Sequence, residues 1–161
     1  MEKLFFIILS VFISAGSALA IPAIGTKAPA FALTDLNGQT FSLSQFRGKV
    51  VVLGLFHLCD PCRQEGAELQ KIYDSFSMRG VQVIGINTSG DSMEAVKKFV
   101  GTIPLKVKYP YLLDPEKTTE RLYSVRMTPN TYIIDKDGIV RYMGTYLDFA
   151  QISQALETLL K

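Results

Sequence analysis

Val50-Val51-Val52-Leu53-Gly54-Leu55-Phe56-His57-Leu58-Cys59-Asp60-Pro61-Cys62 decides the fold of this 161-residue chain. Val50–Phe56 is a near-continuous apolar run that opens on β-branched residues. Such a run suits a strand buried on both faces, which belongs in a parallel or mixed sheet. From Pro61 to Phe76 the pattern changes. Leu69, Ile72, Tyr73 and Phe76 fall at i, i+3, i+4 and i+7, one face of a helix. Both cysteines of the chain lie between these two elements, at the end of the strand and the start of the helix. Unpaired N–H groups and the helix dipole favour negative charge there, which lowers a thiol pKa and makes an attacking thiolate. Cys59, ahead of the helix, is expected to be the more exposed and to attack a partner disulfide. Cys62, inside the first turn, is expected to resolve the mixed disulfide. Pro61 fits because the first helical turn needs no N–H from it.

Outward from this centre, strands and helices alternate. Val81–Ile86 reads as a second buried strand, and Asp91-Ser92-Met93-Glu94 as an acidic cap opening a helix to Val100. Tyr111–Leu113 is a short strand, and Asp114-Pro115 begins a helix to about Tyr123. Asn130–Asp135 and Ile139–Met143 flank a Lys136-Asp137-Gly138 turn. Asp148–Leu160 closes as a helix with an Asp148/Gln151 capping pair. Before the centre, Phe31–Thr34 and Thr40–Leu43 flank Asn37-Gly38, the dipeptide of hairpins with two positive φ values. Ser44–Arg47 follows as one helical turn capped by Ser44 and stopped at Gly48. The order predicts an α/β fold: a central mixed sheet, helices on both faces, and an N-terminal hairpin.

Residues 1–20 read as an address. A weakly positive start, the largely apolar Leu4–Ile13 and the small residues up to Ala18-Leu19-Ala20 form a secretory signal pattern. The alternative is an uncleaved N-terminal anchor, although the run is short for a span. No Cys is available near the cleavage site for lipid attachment. Residues 21–161 are then one domain working outside the cytoplasm. Seventeen basic against 15 acidic residues, without a basic cluster, argue against nucleic acid as a partner. Membrane contact is expected only if the N-terminal segment stays attached.

Other uses of the cysteines are weaker. Haem attachment needs Cys-x-x-Cys-His, and Arg63 stands where the His would be. A metal site would have only Cys59, Cys62 and His57, so no metal is assigned; copper or thiol carriage by these three remains an alternative function. A permanent staple over so short a loop would restrain little chain entropy. His57, the lone histidine, reads more simply as a neutral packing or surface residue than as a tuner of the thiols. The scattered tyrosines read as packing residues with exposed hydroxyls.

Gly25-Thr26-Lys27-Ala28-Pro29-Ala30-Phe31, Asp35-Leu36-Asn37-Gly38, Arg47-Gly48-Lys49-Val50, Cys59-Asp60-Pro61-Cys62 and Thr128-Pro129-Asn130-Thr131 through Asp135 resemble the TlpA/ResA-like branch of the thioredoxin superfamily, an AhpC/TSA-redoxin type domain. The resemblance covers nearly all of residues 24–160. It implies a thioredoxin-like fold, a thiol–disulfide oxidoreductase with no cofactor beyond the Cys59/Cys62 dithiol, and a cis peptide at Thr128-Pro129 facing that dithiol. Its partners would be protein thiols and disulfides, including apocytochrome c thiols, with electrons from a membrane or periplasmic reductant. It also points to Asp91, as an acid in the loop after the second strand of this fold, against the simpler reading as a helix cap. Departures from the family pattern are Leu58 in place of Trp, Ala67 in place of a kinking Pro, and Leu53 where thioredoxins proper bury an acid. Proton transfer therefore needs another group or water. A peroxiredoxin-like peroxidase is the other enzyme reading, weakened by Phe56 where those enzymes carry Thr. Asp60 puts negative charge beside Cys59, which destabilises a thiolate and favours a reductant.

Overall fold

The computed structural model describes residues 21–161. The expected signal or anchor segment lies outside the described residues. Seven strands form one sheet in the order β2-β1-β5-β4-β3-β6-β7. β3 (Val50–Phe56) is central, parallel to β4 (Val81–Asn87) and antiparallel to β6 (Asn130–Ile134). β4 is parallel to β5 (Tyr111–Leu113), and β7 (Val140–Gly144) closes one edge antiparallel to β6. The hairpin β1 (Ala32–Asp35) and β2 (Thr40–Ser42) extends the other edge, with β1 antiparallel to β5. Every residue of β3 is buried, as its unbroken apolar run requires.

Two layers of side chains cover the sheet. On one face α1 (Asp60–Phe76), α2 (Met93–Val100) and α4 (Phe149–Leu159) pack over Val50, Val52 and Phe56. Leu69, Ile72 and Phe76 are the buried stripe of α1. The other face holds Val51, Leu53 and Leu55 under Phe31, Tyr123 and Val125. Its cover is the N-terminal segment, a 3-10 turn at Leu43–Phe46 and the short α3 (Thr118–Leu122). Among the described residues no helix is long and apolar enough to cross a membrane.

Several local expectations are corrected. Only Gly38 of the first hairpin loop has a positive φ, 86°. Asp35 Oδ1 accepts from the N–H groups of Asn37 and Gln39, each at 2.8 Å, so a side chain organises the loop in place of a two-residue turn. Asp135 repeats the device, accepting from Asp137 and Ile139 at 2.9 Å with Gly138 at φ 81°. The turn after β2 is 3-10, and its capping box uses Ser42 with Gln45, not Ser44. The helix expected from Asp114 starts at Thr118. The Asp114 carboxylate accepts from the N–H groups of Thr118, Thr119 and Glu120 across an intervening turn. At α4 the Asp148/Gln151 capping box forms as expected.

The tyrosines do pack, but the hydroxyls of the buried ones are not exposed. Tyr109 donates to the Gly66 carbonyl at 3.1 Å, Tyr123 to Pro29 at 2.8 Å and Tyr132 to Tyr123 at 3.3 Å. Burial holds the Tyr109 and Tyr111 phenols above their ordinary pKa.

Candidate active site

β3 delivers the chain to the end of the sheet where parallel strands finish, and α1 starts there. Cys59 is the N-cap of α1 in extended backbone, and its Sγ accepts the Cys62 N–H at 3.3 Å. The two sulfurs are joined as a disulfide with Cα atoms 5.1 Å apart. Cys59 is half-buried and Cys62 fully buried, the asymmetry expected from their places on the helix. Pro61 lies in the first turn, where it sacrifices no hydrogen bond.

Thr128 comes from the far side of the site. The Thr128-Pro129 peptide is cis, and Thr128 Oγ1 stands 4.0 Å from Cys59 Sγ. Leu58 and Met127, chain neighbours of Cys59 and Thr128, are both exposed apolar residues. The surface around the half-buried sulfur is therefore apolar and adaptable.

Asp60 is beside the thiols, but its charge is compensated. Its carboxylate pairs with the Arg63 guanidinium one turn on, at the surface. That pairing weakens the field Asp60 exerts on Cys59 relative to a lone carboxylate. His57 is half-buried, and its Nε2 is enclosed without a hydrogen-bond partner. Phe56 is buried and stacks on Tyr111, ring centroids 5.9 Å apart, so an apolar ring fills the place a peroxidatic site gives to Thr.

Asp91 is not the cap of α2. Ser92 takes that position, accepting the Ala95 N–H at 3.2 Å. The Asp91 carboxylate accepts from Asn87 Nδ2 at 2.9 Å and from the Ser89 hydroxyl, and its own N–H donates to Asn87 Oδ1. This closed loop lies at the thiol end of the sheet, since Thr88 N–H donates to the Phe56 carbonyl at 3.0 Å.

The sequence reading missed Glu65. It is 3% exposed, one turn beyond Cys62 on α1. Thr131 Oγ1 donates to its Oε1, and the Leu147 N–H donates to Oε2 at 3.0 Å. Burial pushes its pKa up to about 7, against the opposing pull of those two hydrogen bonds and of the Tyr146 N–H. Tyr146, next to Leu147, has a φ of 56° in the loop that presents these amides. A signal was present in the sequence. Glu65 precedes Leu69 by four residues, so a carboxyl stands on the stripe that α1 buries.

The sequence pattern of the AhpC/TSA family matches residues 24–143. The chain is 34% identical over 124 residues to the thiol-disulfide oxidoreductase ResA of Geobacillus kaustophilus (strain HTA426), covering 76% of this chain and 70% of that protein. The ResA of Geobacillus thermodenitrificans (strain NG80-2) is 32% identical over 139 residues, 85% of this chain and 78% of that one. Among solved structures, the thioredoxin domain of a thiol-disulfide oxidoreductase from Bacteroides vulgatus superposes with a TM-score of 0.76 at 26% identity, covering 86% of this chain and 99% of that chain. A thiol:disulfide interchange protein from Bacteroides sp. gives a TM-score of 0.74 at 25% identity, over 86% and 90% of the two chains. The fold is thus thioredoxin-like, and the chain belongs to the AhpC/TSA family as a ResA/TlpA-like member of the thioredoxin superfamily.

Proposed function

We propose that this thiol–disulfide oxidoreductase is a reductant of disulfides in proteins outside the cytoplasm, with Cys59 as nucleophile and Cys62 as resolving thiol. The observation that carries the reading is the asymmetry of the pair: one sulfur half-exposed at a helix N-terminus, its partner buried one turn inside. In the reduced enzyme the Cys59 thiolate attacks a partner disulfide. A Cys59–partner bond forms and the partner's other sulfur leaves as thiolate, then takes a proton. Cys62 gives its proton to the Glu65 carboxylate and attacks Cys59 Sγ, releasing the partner's second sulfur. Two electrons pass to the partner, and the enzyme is left with the Cys59–Cys62 disulfide. A dithiol reductant must then restore it.

Glu65 takes the proton-handling part because it is buried one turn beyond Cys62 on the same helix and titrates close to neutrality. Asp91, tied to Asn87 and Ser89, has a loop-ordering part. Thr128 and cis-Pro129 would border the partner's backbone, and the exposed Leu58 and Met127 its apolar side chains. The extracytoplasmic place rests on the Leu4–Ile13 run and the Ala18-Leu19-Ala20 site. Apocytochrome c thiols are one substrate class suggested by the family resemblance, with a membrane or periplasmic dithiol as electron source.

The test is trapping. Cys62→Ser cannot resolve, so it is expected to hold its partner in a reducible mixed disulfide on Cys59. Cys59→Ser is expected to trap nothing. Equal trapping by both variants would overturn the assignment.

A further inference from the structure

We propose that the end of the domain opposite the dithiol is a docking surface for an anionic phospholipid membrane. The dithiol follows the C-terminal end of β3; the other end of that strand, seven residues away, has a different chemistry. There the Gly48 N–H donates to Lys136, Val50 to Gly80, and Ala28 to Gly138, so four chain segments meet at one pole. Exposed apolar side chains gather at it. Met78, on the 3-10 turn Ser77–Arg79 just before Gly80, is 96% exposed. Ile21 and Ile24 are 54% and 61% exposed where the chain enters beside β7, with the Gly25 N–H on the Val140 carbonyl.

Basic side chains accompany them. Lys27, Arg47, Lys49 and Lys136 are all exposed and, among the described residues, form no ion pair. Of the nearby carboxylates, Asp135 is paired with Arg141 and Glu157 with Arg79, which leaves Asp137 as the uncompensated acid. Between the bases lies a cavity of about 220 Å³, with Leu43, Phe46, Val51 and Ile134 in its wall and Lys27, Arg47 and Lys136 at its rim. Hydrocarbon below and cations above match an amphiphile with a phosphate head.

Charge and exposed apolar surface together select the occupant. The bases complement anionic head groups, and the exposed Ile21, Ile24 and Met78 supply apolar contacts for the acyl boundary beneath them. A bilayer satisfies both, and it leaves the Cys59 end directed away from the lipid. This inference is independent of the thiol chemistry, and disulfide reduction by the variants below reports on that separately.

The chain has no Trp, so a single introduced indole reports its own surroundings. In the full chain, Met78→Trp is expected to blue-shift and to be quenched by brominated lipid in vesicles of phosphatidylcholine with phosphatidylglycerol. Met93→Trp, exposed at the thiol end, is expected to stay unquenched. Adding Lys27→Glu, Lys49→Glu and Lys136→Glu to Met78→Trp should weaken the lipid dependence of quenching by about fivefold or more per charge, and high salt should do the same. An unmoved Met78→Trp, equal quenching at both positions, or equal quenching in purely zwitterionic vesicles would overturn the proposal.

Discussion

Glu65→Gln separates the charge of the buried carboxyl from its shape. The amide oxygen can still accept the Leu147 N–H, and the amide nitrogen can donate to Thr131, so the neutral form is closely mimicked. In the folded protein Glu65 ionises near pH 7 instead of near 4.5, its ordinary value. A raised carboxyl means that the folded state holds its proton while the unfolded chain has lost it. Stability from this group is complete below pH 4.5, falls as pH rises, and levels off above about 7. The displacement corresponds to about 3 kcal/mol, or roughly 10 °C in Tm for a domain of this size. The assay is thermal or urea unfolding of the oxidised protein and of Glu65→Gln from pH 4 to pH 9, taken as a difference so that other titrating groups cancel. The two are expected to coincide near pH 4, with the variant pulling ahead by about 3 kcal/mol above pH 7. Parallel curves, or a wild type that gains on the variant as pH rises, would refute the reasoning.

Other outcomes follow from the same geometry. Asp114→Ala strips three N–H groups of their acceptor at the start of α3 and should cost about 2 kcal/mol in urea unfolding. Gly54→Ala places a Cβ 2.6 Å from Leu69 Cδ1 and from the Phe56 ring, so a loss of about 1–3 kcal/mol is expected; an unchanged midpoint would show that the layer can yield. Arg63→Gln uncovers the Asp60 charge beside Cys59, and iodoacetamide should then alkylate reduced Cys59 more slowly at pH 7, most visibly at low salt.

The strand–dithiol–helix centre was readable because each part has its own signature: an unbroken apolar run for β3, a stripe of period 3.6 for α1, and two cysteines at their junction. What resisted reading were places where a side chain substitutes for backbone. Asp35 and Asp135 shape their loops through side-chain hydrogen bonds, so Asn37-Gly38 suggested the wrong turn. Asp114 caps α3 from four residues ahead, which a search for adjacent caps does not find. Asp91 and Ser92 are both capping residue types, and only the competing Asn87 amide decides that Ser92 does the capping. Glu65 was hidden by its type. A glutamate on a helix is normally a solvated residue, and its burial depends on Thr131 and Leu147, far away in sequence.

Three glycines have a mechanical consequence. Gly54 on β3, Gly85 on β4 and Gly66 on α1 leave so little clearance that an added methyl group would meet Leu69, Tyr111 or Ile103 at 3.0 Å or less. At Gly54 the helix bearing Cys62 lies flush against β3 through Leu69, while Gly85 and Gly66 let Tyr111 and Ile103 close in beside it. The sulfur–sulfur bond at the head of this helix therefore opens and closes above a helix–strand contact that leaves Leu69 no room to move closer to Gly54.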